Sequence, residues 1–369
     1  MKKVKQYLYL LLGGVVLSSC SKSEDSFSEQ LSGLKSVYFP KQTEKVLSSK
    51  LIGNRGTKKE FLQTVQKQLL LSPVEIVDGR NLEVIFPGSV LDGESFLNAS
   101  YNNLHINNPK EITLSTTLQG PAATIKTTAI PVLSDVREKI NSLVSQNSRA
   151  VDYNNTATYL TYVSNRVFSQ ESFCQSFGIH ASVEVLKGLV KGEFGYEESE
   201  LNINTKRYVL VKVRQQFYNV AVDPKSADDW GDIQNIGAYE PVYISSVDYG
   251  RVAHLLVETD EQSSQVTRSI QAGISATFPK VGGSIDVNKQ EEARHYFHDK
   301  KIKIMIAGGP LSTARSVTDY DTFMQFLTNP SPEDLVKSSA PIGYKVRTLK
   351  DNREVAVRVM YKDQQVVTE

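Results

Sequence analysis

Two segments of this 369-residue chain satisfy two hydrophobic periods at once. In the later one, apolar side chains recur every four residues between Val266 and Phe278, which collects them on one face of a helix. The same segment also carries apolar side chains at every second position, the pattern of a strand with one apolar face: Ile270, Ala272, Ile274, Ala276 and Phe278. Because one stretch is compatible with both structures, the sequence predicts a segment that refolds.

The earlier segment, residues 173–198, repeats this double pattern. A helical spacing begins at Phe173, and alternate positions are again apolar: Phe177, Ile179, Ala181, Val183 and Val185. Beyond residues 187–188 the parity of the apolar positions changes, which predicts a hairpin with Phe194 on its returning arm. A similar change beyond Phe278 predicts a second hairpin within residues 264–288. Arms of about 9 to 11 residues can cross a bilayer as tilted strands.

Strand and turn patterns dominate the rest of the chain. The longest strand pattern covers residues 208–223, where valines alternate with longer side chains. Further strands are predicted at residues 159–168, 242–247, 252–259, 302–307 and 354–361, and helices at residues 62–71, 134–145 and 319–327. The chain is long enough to bury a large core, and its composition is that of a globular protein.

The N-terminus resembles a bacterial lipoprotein signal peptide. Three lysines precede an apolar run at residues 7–17, and two serines stand directly before Cys20. The resemblance implies removal of residues 1–19 and lipidation of Cys20, whereas an ordinary secretory signal with an incidental cysteine is the alternative. The polar residues that follow predict a solvated tether at 20–36 and a folded core at 37–369. We therefore expect an exported protein, lipid-anchored to the bacterial outer membrane or surface, with its later release left open.

The sequence contains no convincing pattern of catalytic or metal-binding residues. His295 and His298 lie three residues apart beside two glutamates, but a His-Glu-x-x-His arrangement and a third ligand at a characteristic spacing are missing. The chain also lacks a phosphate-binding glycine loop and a Gly-x-Ser-x-Gly nucleophile motif. With 42 Lys and Arg against 41 Asp and Glu, the net charge does not suggest nucleic acid binding. We therefore predict a protein that is not an enzyme, uses no cofactor or metal and binds no nucleic acid.

Several stretches resemble the cholesterol-dependent cytolysins, a branch of the perforin and complement-like pore-forming superfamily. The most specific stretches are residues 241–251 (PVYISSVDYGR), residues 256–259 (LVET) and residues 214–223 (RQQFYNVAVD). Shorter matches lie at residues 72–75, 87–88, 167–170 and 308–309. All of them occur in the family's order over residues 60–361, so the resemblance covers most of the chain.

The resemblance implies an elongated α+β fold. Its core is a bent, twisted four-stranded antiparallel sheet flanked by two helical bundles, and in that family the bundles open into hairpins of a transmembrane β-barrel built from many chains. The doubly patterned segments, residues 173–198 and 264–288, fall where those bundles belong. The membrane-inserting positions implied in this way are Phe177, Ile179, Ala181, Val183, Val185, Phe194, Ile270, Ala272, Ile274, Ala276 and Phe278.

The resemblance also implies residues that act in assembly. Gly308 and Gly309 match a glycine pair that in the family lets a short flap strand swing away from the sheet edge, although Pro310 also suits an ordinary turn. Phe168 matches an aromatic residue that aligns the strands of neighbouring subunits, and Ile302 occupies the position of its partner. We therefore expect a hinge at the glycine pair and oligomer contacts at Phe168 and Ile302.

The family pattern normally continues beyond Tyr361 into a β-sandwich domain with a tryptophan-rich membrane-recognition loop. The single tryptophan here is Trp230, so we expect a form without that C-terminal domain, which does not recognise cholesterol directly. The predicted function is a pore-forming subunit that inserts into a lipid membrane as a large ring, assembled from copies of itself and a longer cytolysin-like partner. The alternatives are a surface lipoprotein of the same fold that binds or regulates a partner without inserting, and a structural adhesin.

Overall fold

The structure is a computed structural model that describes residues 26–76, 79–120, 123–152, 159–167, 176–194, 207–259, 269, 272, 287–298, 300–314, 317–328 and 330–369. Its strands are β1 Lys45–Arg55, β2 Lys58–Leu71, β3 Val74–Glu75, β4 Val90–Leu91, β5 Ile106–Asn107, β6 Ile112–Thr116, β7 Lys126–Ala129, β8 Tyr159–Val167, β9 Arg207–Val222, β10 Asp232–Ile233, β11 Val242–Thr259, β12 Lys301–Ala307, β13 Ala340–Thr348 and β14 Val357–Thr368.

Its helices are α1 Phe27–Ser32, α2 Gly93–Leu97, α3 Leu133–Asn147, α4 Val183–Phe194, α5 Val287–His298, α6 Leu311–Ala314, α7 Tyr320–Thr328 and α8 Pro332–Lys337, and Ala227–Asp229 form a 3-10 turn. Helices α3 and α7 confirm the helices predicted at residues 134–145 and 319–327. None of the helices in the described ranges combines the length and apolar character needed to cross a membrane.

Two long strands, β9 and β11, run antiparallel through the larger sheet. At one end they lie between β6 and β13, and at the other end between β8 and β12. The second set, in the order β8, β9, β11, β12, is the four-stranded antiparallel sheet that the resemblance implies, and we call it the core sheet. The strands predicted at residues 242–247 and 252–259 are one strand of 18 residues. A register shift between Tyr249 and Gly250 separates its two halves, and such a shift bends a strand.

The core sheet is covered on both faces, and β9 accordingly carries apolar side chains at successive positions. Tyr208 and Leu210 point to the first face, where they pack against residues 177–194, which we call the docked segment. Val209 and Val211 point to the second face, where α5 and α7 cover them. A strand buried on both faces needs apolar residues throughout, which explains the continuous valine-rich run.

A separate three-stranded sheet has the order β1, β2, β14. Strand β2 contains residues 62–71, so the helix predicted there is wrong. Val65 and Leu69 lie four residues apart, a spacing that also puts them on one side of a strand. Strand β2 pairs with the neighbouring strand β1 in a hairpin and with β14, which lies almost 300 residues further along the chain. Long-range pairing therefore decided between two structures that the local pattern could not distinguish.

The N-terminal part of the described chain corrects the predicted tether at residues 20–36. Residues 27–32 form a helix that begins with a capping box between Ser26 and Glu29, and Leu31 is fully buried. Ser28 also donates through its hydroxyl to Asp228 at 2.8 Å. The polar composition hid a short amphipathic helix, and the folded part of the chain includes residues 26–36.

Candidate functional site: a segment docked through its backbone

The docked segment begins at a buried ion pair beneath the first face of the core sheet. Lys212 Nζ lies 2.9 Å from a carboxylate oxygen of Glu75, and the two side chains are 12% and 19% exposed. The same ammonium group donates to Phe177 O at 3.1 Å, while Glu75 N donates to Gly178 O at 3.1 Å. Gly178 has a φ of +69°, a conformation that glycine adopts without strain. Lys212 and Glu75 therefore bind two successive carbonyls of the docked segment, Lys212 through its ammonium group and Glu75 through its backbone N–H.

Two further carbonyls of the docked segment accept hydrogen bonds from the core. Tyr101 Oη donates to His180 O at 2.5 Å, and Arg80 Nη1 donates to Val185 O at 3.3 Å. Burial raises the pKa of Tyr101, so its hydroxyl remains a donor. It also lies 2.7 Å from the hydroxyl of Tyr344. We call these contacts to the carbonyls of Phe177, Gly178, His180 and Val185 the carbonyl latch.

The His180 ring is packed among aromatic side chains. It stacks on Phe96 at 5.1 Å between ring centroids and meets the edges of Phe39 and Tyr101 at 5.2 and 5.9 Å. The side chain is 5% exposed, and neither ring nitrogen has a hydrogen-bond partner among the residues that the structure describes. A buried polar group without a partner costs about 1–3 kcal/mol, so the contact is weaker than its buried area suggests.

A second buried histidine lies beneath the start of the docked segment. His254 of β11 is 1% exposed and meets the ring of Phe177 edge to face at 5.4 Å. Burial, and then the positive charge of Lys212, hold the pKa of His254 well below its ordinary value. The imidazole is therefore neutral at neutral pH, and protonation would place a second cation beside Lys212 under Phe177.

The docked segment leaves space beneath it. A cavity of about 420 Å³ lies beside the carbonyl latch, and Ile179, His180 and Val185 line one side of it. Tyr101 and Tyr344 line the opposite side. Empty volume forfeits packing energy on this side of the segment, while Phe177, Leu186 and Leu189 are packed against the core sheet.

The predicted hinge, Gly308 and Gly309, forms a turn after β12. Both residues have positive φ, +78° and +87°. A Cβ atom at Gly308 would lie 2.4 Å from Gly250 O, and one at Gly309 would lie 2.8 Å from the ring of Phe326. Glycine is therefore required at both positions by conformation and by space. Residues 311–314, which follow the pair, form helix α6.

Arg251, on the second face of the sheet, lies beside this turn and binds the end of α7. Its guanidinium donates to Phe326 O and Leu327 O at 2.5 and 2.7 Å, and to the side chain of Gln215 at 2.5 Å. The side chain is 1% exposed, and its guanidinium lies 4.6 Å from the centroid of the Phe326 ring. Burial lowers the pKa of Arg251 to about 10, so the group stays charged at neutral pH. Its position at the C-terminal carbonyls of α7 is favoured by the helix dipole.

Both outer strands of the core sheet have an open edge within the part of the chain that the structure describes. Strand β8 pairs only with β9, and β12 pairs only with β11. Ile302 of β12 is half-buried and packs with the second-face cluster. Open edges present unpaired N–H and C=O groups that can pair with another chain.

The structure places several of the predicted membrane-inserting residues in the docked segment. Phe177 is fully buried, Ile179 and Ala181 are half-buried against the same cluster, and Val185 is 38% exposed. Residues 178–182 form neither helix nor strand, so the helical stripe predicted from Phe173 is wrong there. The helix begins at residue 183, contains Val183 and Phe194, and buries Leu186 and Leu189 instead.

Other predicted positions lie outside the described residues, namely Cys20, Phe168, Ile270, Ile274, Ala276 and Phe278. Ala272 is described as helical and half-buried. Among the described residues, no group of three or more His, Cys, Asp and Glu side chains could hold a metal ion.

The sequence did not single out the residues of the carbonyl latch. Lys212 carried a usable signal, because a lone charge between Val211 and Val213 in a two-sided apolar strand indicates a buried ion pair. Glu75 and Tyr101 gave no comparable signal, since their role depends on contacts across 137 and 79 residues.

Comparison with known proteins identifies the family. Residues 58–363 match the family model described as thiol-activated cytolysin. The chain belongs to the thiol-activated cytolysin family. It is 25% identical over 299 residues to tetanolysin of Clostridium tetani, covering 77% of this chain and 54% of tetanolysin. It is 23% identical over 321 residues to perfringolysin O of Clostridium perfringens, covering 82% and 61%. The chain thus spans less than two thirds of the length of these thiol-activated cytolysins.

Solved structures of two toxins share the fold. The human-specific toxin intermedilysin aligns with a TM-score of 0.63 and 20% identity, covering 92% of this chain and 74% of intermedilysin. The cytotoxin suilysin from Streptococcus suis aligns with a TM-score of 0.65 and 21% identity, covering 92% and 75%. These alignments confirm the predicted α+β fold with its bent antiparallel core sheet.

Proposed function

We propose that this protein is a pore-forming subunit whose docked segment leaves the core sheet and enters a membrane as a β-hairpin. The observation that carries the proposal is the carbonyl latch. Four backbone carbonyls accept hydrogen bonds from the core, so the segment is held by contacts that are independent of most of its side chains. The apolar side chains at alternate positions of residues 177–185, which pack against the core sheet here, have the spacing needed for one face of a strand.

Physical chemistry requires assembly before insertion. A hairpin in hydrocarbon with unpaired N–H and C=O groups pays several kcal/mol for each of them. A single chain cannot close a barrel around water with two hairpins, so neighbouring copies must supply the missing pairing. The open edges of β8 and β12 support this step, since β8 of one copy can pair with β12 of the next.

The proposal extends to the second doubly patterned segment, residues 264–288, and to the glycine pair as a hinge. We infer that Gly308 and Gly309 let residues 310–319 change their path when a neighbouring copy pairs with β12. Phe168 and Ile302 are the positions at which we propose that adjacent copies align. Substituting Gly309 with alanine should block ring assembly, because the added Cβ would be strained at this φ.

A single-cysteine scan tests insertion. Cys20 and Cys174 are replaced by serine, and one cysteine at a time is placed at residues 179–185 and labelled with an environment-sensitive dye. On dye-loaded liposomes, positions 179, 181 and 185 should report lipid while positions 182 and 184 report water. Leakage without any alternating signal would reject the hairpin, and binding without leakage would favour the alternative of a non-inserting surface lipoprotein.

The partner and the membrane anchor are separate parts of the proposal. We propose export, lipidation at Cys20, and lysis of a target membrane in rings that include a longer cytolysin-like component. Comparing leakage by the protein alone with leakage after mixing with that component tests the partner. Mass spectrometry of the protein from its own cells tests the lipid, since lipidation should disappear when Cys20 is replaced by serine.

A further inference from the structure

A second cavity, of about 290 Å³, lies between α3 and the bend of β11 and is distinct from the one beneath the docked segment. Its apolar walls come from Phe86, Ile140 and Val144, with Leu82 and Pro341 at the margins. Apolar walls and this volume suit the body of a small organic molecule.

Two stacked tyrosines line this cavity. The rings of Tyr218 and Tyr249 are parallel within 5° and 5.0 Å apart. Tyr218 is 4% exposed, Tyr249 is half-buried, and neither hydroxyl makes a hydrogen bond in the described part of the chain. Burial raises the pKa of both phenols, so they are neutral and can donate. Two such donors can bond to an acceptor group that enters the cavity.

The mouth of the cavity is cationic. Arg137 and Lys337 line it, and the charge of Arg137 reaches the Tyr249 hydroxyl, where it opposes the effect of burial on the pKa. Arg137 also donates to Leu82 O at 3.0 Å, and Lys337 pairs with Glu333 at 2.6 Å, so part of the Lys337 charge is offset. Among the described residues, no Asp or Glu side chain lines the cavity.

We propose that this cavity binds an organic carboxylate with an apolar body. The carboxylate accepts from the Tyr249 hydroxyl and the Arg137 guanidinium at the mouth, and the apolar body lies along α3. The bond to Arg137 joins two opposite charges, whereas Tyr249 is a neutral donor, so we expect Arg137 to be the main determinant of affinity.

The cavity adjoins residues 338–341, the segment that supports the turn at Gly308 and Gly309. Ser339 and Pro341 line it, and the neighbouring Ser338 O accepts from Gly309 N at 3.0 Å. A bound ligand would therefore restrain residues 338–341. We expect the ligand to slow pore formation, and this expectation rests on the proposed function. The binding of the ligand to the cavity does not rest on it.

Isothermal titration of the full chain with sodium decanoate tests the site. We expect saturable one-to-one binding, weakened about tenfold or more by Arg137→Gln and by Val144→Phe, which fills the cavity. Arg149→Gln is the matched control, because Arg149 is exposed and lies outside the cavity. Tyr249→Phe keeps the stacked ring but removes the donor, and should weaken binding less than Arg137→Gln.

Two neutral or cationic probes decide whether the charge is recognised. Decanol and decyltrimethylammonium should bind at least tenfold more weakly than decanoate. Equal binding of all three, equal binding by Arg137→Gln, or no saturable heat with decanoate would each overturn the proposal. Thermal unfolding of every variant establishes that the folded protein is being titrated.

Discussion

The two faces of the core sheet are held by different interactions. On the first face, the carbonyl latch and the Lys212 ion pair attach the docked segment beside a cavity of about 420 Å³. On the second face, α5 and α7 bury aromatic side chains against the sheet, and Arg251 fixes the end of α7. The first face also buries apolar side chains, but it lies beside a cavity, whereas two packed helices cover the second face. We therefore expect the first face to separate before the second.

Replacing Arg251 should have the largest effect and should act on the second face. Arg251→Met leaves Phe326 O and Leu327 O buried without donors, and each charged hydrogen bond contributes about 1.5–3 kcal/mol. We expect the free energy of unfolding in urea to fall by about 3–5 kcal/mol. Arg251→Lys keeps the charge but lacks the two-pronged geometry, and should recover only part of the loss.

Hydrogen exchange locates that effect. Arg251→Met should raise exchange in α7 more than in α4, because only α7 contacts the guanidinium. Equal increases in both helices would mean that the two faces are one cooperative unit, and the contrast between them would be wrong.

Breaking the ion pair should have the next largest effect and should act on the first face. Lys212→Met leaves the Glu75 carboxylate without its cation and frees Phe177 O. We expect a loss of about 2–3 kcal/mol, below the 3–5 kcal/mol of a fully buried pair because both groups keep some exposure. Exchange in α4 should rise and liposome leakage should start sooner.

A matched control exists in the three-stranded sheet. Lys67 of β2 and Asp363 of β14 form an ion pair at 2.7 Å with exposures of 23% and 24%. Lys67→Met should leave leakage unchanged. Adding Glu75→Gln to Lys212→Met should restore part of the stability, since the unpaired carboxylate is then removed. An identical leakage rate for Lys67→Met and Lys212→Met would contradict the role of the latch.

The core sheet could be predicted from the sequence because its strands carry strong local patterns. The valine-rich run in β9 and the motif around Tyr249 to Arg251 indicated both the strands and the family. The contacts that distinguish the two faces could not be predicted. They join residues separated by 35 to 137 positions, and no local pattern encodes which carbonyl a distant lysine or tyrosine will meet.

The incorrect helix at residues 62–71 shows why the doubly patterned segments were ambiguous. A spacing of four residues fits a helix and also one side of a strand, and β2 adopted the strand because β1 and β14 were available as partners. Within the docked segment only part of the helical pattern is realised, since residues 178–182 form neither helix nor strand and residues 183–194 are helical. The hydrophobic pattern permits either a helix or a strand, and the strands available for pairing determine which of the two forms.

Acid should weaken the first face through His254. Burial and the charge of Lys212 hold its pKa in the folded protein well below the ordinary value of 6.5. Below about pH 6.5 the unfolded chain takes up a proton that the folded protein does not, so stability is full above this pH and falls as the pH decreases. One such group contributes a slope of up to about 1.4 kcal/mol per pH unit. His254→Phe should reduce the slope of unfolding free energy between pH 7 and pH 5, and an unchanged slope would exclude His254 as its source.

The smallest effect should come from a single hydroxyl of the latch. Tyr101→Phe removes the donor to His180 O and the partner of the Tyr344 hydroxyl, at a cost of about 1–2 kcal/mol. Tyr38→Phe is the control, because Tyr38 is 58% exposed. Exchange near residues 181–183 should rise in Tyr101→Phe alone, while α7 is unaffected. The Tyr101 ring remains packed in this variant, so a rise in hydrogen exchange near residues 181–183 alone would show that the first face can be loosened one hydrogen bond at a time. An equal rise in α7 would show that it cannot.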